Sequence, residues 1–301
     1  MNATRRFFSA LRRLAMPAAK PAPALPQPRI GLALGGGFAR GIAHVGVLQV
    51  LEQHAIPIHC IAGVSAGSIV AAAYASGTTP AEIGRAGCAM RFGDVARWSI
   101  SRMGFVVSER MKRFLERLLK QNRFENMRIP LGVLSTDLCT GDPVTFSGSG
   151  DVFLPIRASC SYPGLFQPVQ SGDNLLVDGA MSMEIPAHLA RQLGATHVIS
   201  VHLPGQDRAC PPTNMFQVVN RCFQIMQTHT EQSWRLESDL VITPAVNGMA
   251  WDAFGSGPAL IQAGETAALA ALPIIEKWLG RQTTELPVLN VANVAPGSLT
   301  A

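Results

Sequence analysis

The segments RIGLALGGGFARGIAHVGVLQVL, residues 29–51, and HCIAGVSAGSIVAAAYA, residues 59–75, decide how this chain folds. Arg29–Leu34 is a short apolar run stopped by consecutive glycines, which reads as a strand entering a loop. From Gly41 to about Gln53, Ile42, Val45, Leu48 and Val50/Leu51 recur at helical spacing. His59–Val64 reads as a second buried strand, and Ser65 through Tyr74 as a helix. The order is strand, loop, helix, strand, turn, helix. A helix that crosses over between two strands implies a parallel sheet.

Working outward, Ser108 is placed to cap a helix whose apolar positions are Met111, Phe114, Leu115 and Leu118. Leu131–Leu138 reads as a strand, Ser147–Asp151 as a Gly/Ser turn, and Leu175–Val177 as a short strand ending in Asp178-Gly179. Pro186–Leu193 is a helix closed by Gly194, and Thr196–Leu203 a strand. Residues 213–236 and 258–279 read as long helices flanking a strand at Leu240–Thr243. The expected architecture is α/β, with three αβα layers around a mostly parallel sheet. One doubly wound domain over 29–280 follows a basic, Pro/Ala-rich extension (1–28) and precedes a loose tail (281–301).

Composition narrows the class. Apolar residues make up 48 % and charged residues 15 %, against an average of ~25 % charged. A disordered chain and a coiled coil are excluded. The net charge of +5 is local. Seven of the 25 basic residues precede Glu52, the first acidic residue, and the remainder carries 18 basic against 20 acidic side chains. A basic nucleic-acid surface is therefore not expected. In the extension, Phe7, Phe8, Leu11 and Leu14 share a helical face beside Arg5, Arg6, Arg12 and Arg13. That pattern fits an interfacial anchor on anionic lipid, a tail with accidental spacing, and an Arg-rich transit peptide; a cleaved secretory signal lacks its apolar core. Gln53–Ala81 carries no formal charge, yet Pro57, His59, Gly63, Ser65, Gly67 and Ser68 interrupt it, so no membrane span is read there. The six cysteines are scattered with no C-x-x-C pair, which points to free thiols and a cytoplasmic setting. No cluster has metal-ligand spacing, so neither metal nor cofactor is expected.

The chemistry concentrates in three places. Gly63-Val64-Ser65-Ala66-Gly67 is a G-x-S-x-G pentapeptide between strand and helix, the context that pushes a serine into an exposed, strained turn as a nucleophile. Gly35-Gly36-Gly37-Phe38-Ala39-Arg40-Gly41 lies between the first strand and helix. Backbone amides of such a loop converge on an anion because no Cβ intervenes, as acyl transfer requires of an oxyanion hole. A dinucleotide loop would need glycine where Arg40 stands, and a P-loop would need Gly-Lys-Ser/Thr. Arg40 is a candidate to fix the loop or meet substrate charge. Asp178-Gly179-Ala180 reads either as a simple Asp-Gly turn or as a carboxylate at the carboxyl end of a strand, where burial would raise its pKa enough to make it a base.

In this order the motifs resemble the patatin-like phospholipases, specifically the bacterial branch similar to the neuropathy target esterase catalytic domain. Arg157–Val169 (RASCSYPGLFQPV) is similar to the segment preceding the aspartate in that family. The resemblance implies a Ser–Asp dyad hydrolysing lipid acyl esters: Ser65 as nucleophile, Asp178 as base, and the loop at Gly35, Gly36, Gly37 and Phe38 as oxyanion hole. Arg40, Gly41, Gly63, Gly67 and Gly179 would support these motifs. Ala180 departs mildly from the commoner second glycine. The implied partner is a phospholipid or lysophospholipid, with peripheral contact to an anionic membrane face. The competing readings are a Ser-His-Asp triad using His188, His197, His202 or His229, and a lipid-binding module without catalysis.

Overall fold

A computed structural model describes residues 27–99, 102–205, 211–250 and 252–281. The extension through residue 26 and the tail beyond 281 lie outside the described residues. The chain opens as read: β1 (Ile30–Leu34), α1 (Ala43–Gln53), β2 (Ile58–Val64) and α2 (Ala66–Ala75). Then come α3 (Pro80–Ala89), α4 (Phe92–Val95), an antiparallel pair β3 (Arg97–Trp98) and β4 (Val106–Val107), and α5 (Glu109–Leu118). The second half runs β5 (Leu131–Asp137), β6 (Pro143–Ser147), α6 (Phe153–Ser159), β7 (Val169–Ser171), β8 (Asn174–Asp178) and α7 (Ala187–Gln192). It closes with β9 (His197–Val201), α8 (Met215–Leu236), β10 (Leu240–Ile242) and α9 (Gly257–Trp278).

The main sheet has the order β10-β9-β1-β2-β5-β8-β7, with β6 also paired to β5. From β10 to β5 every pairing is parallel; β6, β8 and β7 join antiparallel. This far side departs from a doubly wound order. A short turn through Gly141 (φ 82°) joins β5 to β6, and a hairpin connection leaves two strands antiparallel. Alternate residues of the strands feed separate cores, which makes three layers. Ile30, Leu32, Leu34, Ile61, Leu131 and Val133 pack with α1, α2 and α9. Ala33, Cys60, Ala62, Val64 and Leu134 pack with Leu189 and Ala190 of α7 and Trp234 of α8. Burial on both faces explains why these strands are apolar at successive positions.

Ser108 occupies the N-cap position of α5, but its hydroxyl makes no cap bond; its carbonyl accepts from the Met111 amide at 3.1 Å instead. Phe254–Trp278 is the one stretch among the described residues long and apolar enough to cross a membrane. Here Ala268, Leu272 and Ile275 lie in the core beside α1. The two helices meet backbone to backbone: a Cβ at Gly264 would overlap the Ala43 carbonyl, and one at Gly46 the Ile261 carbonyl.

This crossing reverses an ordinary preference. Gly→Ala inside a helix normally stabilises by up to ~1 kcal/mol, whereas overpacking costs ~1–3 kcal/mol. Gly264→Ala is therefore expected to lower stability in urea unfolding. A gain would show that the helices do not cross at this distance.

Candidate active site

The site forms where β2 and β8 meet along one edge of β5. Val64, the last residue of β2, pairs with Leu134, and Asp178, the last residue of β8, pairs with the next residue, Ser135. One strand thus sets two others end to end, and Ser65 emerges beside Asp178. Gly179 has to be glycine because a Cβ there would overlap the Leu134 carbonyl and sit 2.6 Å from Val64 Cγ2. Its value is close approach; it is not among the positive-φ glycines of an ordinary Asp-Gly turn.

Ser65 is the N-cap of α2 with φ 52° and ψ −128°, a region L-residues rarely occupy. Such strain costs of order 1–3 kcal/mol and persists only where neighbours hold it. Those neighbours are serines: the Ser65 amide donates to Ser159 Oγ (2.9 Å), whose hydroxyl donates to the Leu134 carbonyl (2.5 Å), and Ser68 Oγ donates to the Ser65 carbonyl (2.6 Å). Gly63 and Gly67 let the turn close, since a Cβ on Gly63 would lie 2.6 Å from Ser68 Cα and one on Gly67 2.6 Å from the Gly35 carbonyl oxygen. Gly41 likewise admits Ala66, 2.7 Å from the place of a Cβ.

Asp178 is 1 % exposed. Its amide donates to the Ser161 carbonyl (3.0 Å), and its Oδ1 accepts from the Ala180 amide (2.9 Å). Burial pushes its pKa up to about 7, against the opposing pull of hydrogen bonds from the Ser65 side chain and the Ala180 amide. A carboxyl poised there exchanges a proton near neutrality.

The glycine loop lies over Ser65. A Cβ at Gly36 would sit 3.2 Å from Ser65 Cβ. Phe38 also has a positive φ, 50°. The Gly35 amide corrects the expected donor set: it donates to the Val201 carbonyl at 3.2 Å and is spent in the sheet. Arg40, 8 % exposed, donates through Nη1 to the Pro204 carbonyl (2.5 Å) and through Nε to the Gly37 carbonyl (3.4 Å). It ties the loop to the segment after β9. Burial lowers its pKa, and Glu184 and Tyr162 counteract that. Gly36, Gly37, Phe38, Arg40, Ser65 and Asp178 line one cleft together with Tyr162 and Glu184.

Of the four histidines considered for a triad, none lines this cleft. His188 is 3.5 Å from Glu237, the His197 ring rests 4.9 Å from Trp278, and His202 is 3.4 Å from Glu184; His229 is exposed on α8. Ser159 and Ser161, inside the 157–169 segment, hold the two site residues by hydrogen bonds that no spacing rule reveals.

Residues 32–191 match the family profile described as patatin-like phospholipase. The chain belongs to this family. Among curated relatives, a lysophospholipase NTE1 of Cryptococcus neoformans is 33 % identical over 61 % of this chain and 12 % of its own length. An uncharacterized NTE family protein of Mycobacterium bovis is 32 % identical over 60 % of this chain and 51 % of its own. The chain therefore spans about an eighth of the fungal relative and half of the mycobacterial one. The crystal structure of VipD from Legionella pneumophila shares the patatin fold, with a TM-score of 0.51 and 13 % identity, over 83 % of this chain and 67 % of that one.

The raised Asp178 pKa has a consequence for stability. The folded state holds this proton to about pH 7, whereas the ordinary value is 3.8. Its contribution is complete below about pH 4 and is lost as pH rises through 7. Asp178→Asn is expected to melt above the parent at pH 8, with the difference closing toward pH 4. Equal melting at both pH values would refute the burial of an ionisable group here.

Proposed function

We propose that the chain is a serine acyl hydrolase of the phospholipase A or lysophospholipase type, acting through Ser65 and Asp178. The observation that carries this reading is the end-to-end meeting of β2 and β8 on β5, which sets a strained serine beside a buried carboxyl of neutral pKa. Asp178 takes the proton from Ser65 Oγ as the oxygen attacks the ester carbonyl. The amides of Gly36, Gly37 and Phe38 hold the developing oxyanion; Gly36 and Gly37 have no hydrogen-bond partner for theirs among the described residues. Collapse expels the alcohol, which leaves with the Asp178 proton. Water, deprotonated by Asp178, then cleaves the acyl-enzyme and releases the fatty acid.

The cleft holds only about 60 Å³, below the ~300–1,000 Å³ of ordinary ligand sites, and so has room for little beyond the reacting ester. A second, apolar groove of about 570 Å³ adjoins it, lined by Phe92, Trp98, Phe105, Leu165, Met215 and Val219. The same two segments line both, through different residues. Tyr162 faces the cleft and Leu165, whose amide donates to the Tyr162 carbonyl at 3.2 Å, faces the groove. On α8, Asn220 faces the cleft and Val219 the groove. This groove is the proposed seat of the acyl chain. Residues 29–280 form the catalytic unit in this reading, and the arginines of residues 1–28 supply peripheral contact with an anionic inner membrane face.

A fluorophosphonate probe is expected to label Ser65, which a mere lipid-binding module would not allow. Ser65→Ala and Asp178→Asn should each lower ester turnover by ~10⁴-fold or more, with the double variant no worse. Turnover should rise with pH through about 7, as the Asp178 base form appears. A comparable loss at His188, His197, His202 or His229, with folding intact, would restore the triad. Val219→Trp should suppress hydrolysis of long-chain esters while sparing short-chain ones; equal loss on both would remove the groove from the substrate path.

A further inference from the structure

His44, the second residue of α1, is completely buried, and the reaction above leaves it unused. Its Nε2 lies 2.8 Å from the Gly35 carbonyl oxygen. A carbonyl only accepts, so Nε2 carries the proton. Nδ1 has no hydrogen-bond partner among the described residues, as suits the lone pair of a neutral ring in that tautomer. Burial holds the ring's pKa down at about 4, which keeps it uncharged at neutral pH.

The Gly35 carbonyl is confined from a second side, because Gly67 packs so close that a Cβ there would stand 2.6 Å from it. On its other flank the Gly35 amide is held by Val201. The Gly35 carbonyl and the Gly36 N–H belong to one planar trans peptide and point in opposite directions. Glycine on both sides of that peptide removes the Cβ atoms that would restrict its rotation. Something else has to choose its orientation.

We propose that His44 is a positioning residue for acyl transfer: by holding the Gly35 carbonyl on the buried side, it turns the Gly36 N–H outward into the cleft beside Ser65. The inference rests on the reading of Ser65 as nucleophile and of the glycine loop as oxyanion hole. His44 touches no reacting atom. It helps select which face of a glycine-flanked peptide meets the substrate.

The test pairs His44→Leu, which removes the donor, with His44→Gln, whose amide nitrogen reaches the Nε2 position. On a soluble ester His44→Leu should lower kcat by ~10²-fold, the order of one lost oxyanion donor, with KM within about twofold. His44→Gln should recover most of that loss. On the matching thionoester, whose sulfur is a weak acceptor, His44→Leu should lose far less. Equal losses on ester and thionoester, or a His44→Gln variant as poor as His44→Leu, would overturn the proposal in favour of a packing role. Failure of the unaltered protein to react with a fluorophosphonate at Ser65 would instead overturn the underlying reading. If His44→Leu does not fold, isotope-edited spectra of the histidine rings in the unaltered protein decide: the proposal requires the neutral Nε2–H tautomer at His44, and an Nδ1–H ring would sink it.

Discussion

The constraint on which the rest depends is that one edge of β5 is divided between two strands. β2 holds it as far as Leu134, and β8 takes over at Ser135. A parallel strand and an antiparallel strand therefore finish at the same point from opposite directions, and both chain ends leave the sheet there. The Leu134 carbonyl sits at this junction. It accepts from Ser159, which in turn braces the Ser65 amide, and it lies where a Cβ on Gly179 would go. Shifting β8 by one residue against β5 would carry Asp178 to the other face of the sheet. Val64 and Asp178 are both fixed by their pairing to β5, and Ser65 follows directly on Val64.

That rigidity is what lets the fold sustain unfavourable features in one small region. Ser65 and Phe38 both occupy positive φ, and Asp178 is buried with few partners. Each works against stability on its own. The compensation lies outside the cleft: serine hydroxyls on α2 and α6, a buried arginine clamping the glycine loop, and apolar cores on both sheet faces.

The first half of the fold and the motifs of the candidate site are legible because local patterns dictate them. β1 to α2 alternate apolar runs with glycine punctuation, and G-x-S-x-G carries its own turn geometry. The antiparallel half was less legible: β6 reads PVTFS with a proline and little burial, and its place follows from a hairpin, not from periodicity. Gly35, Gly36 and Gly37 look alike as donors in sequence, whereas only the fold shows that the sheet consumes the Gly35 amide. The chain order of a catalytic triad points to histidines after Asp178 and so passes over His44. Its role arises from a carbonyl nine positions away, through a contact no spacing rule describes. Ser159 and Ser161 are hidden for the same reason, since their partners, Ser65, Leu134 and Asp178, lie far away in the chain.

Helix α8 forms a wall common to the polar cleft and the apolar groove, yet it is held very unevenly. Trp234, near its C-terminal end, is 1 % exposed, whereas Met215 and Val218 at the other end are 72 % and 46 % exposed. Between them, Phe223 leans on the Tyr162 ring at 5.2 Å, and Asn220 accepts from its hydroxyl. Segments with few buried contacts open at the lowest free energy. The helix is thus anchored most deeply at Trp234, and its more exposed N-terminal part borders the two spaces that a lipid's head and tail would occupy in the proposed reading. Any swing of that arm would have to release Tyr162 and would alter both spaces together, so that under the proposed reading an amphiphile's head and tail would be admitted as one.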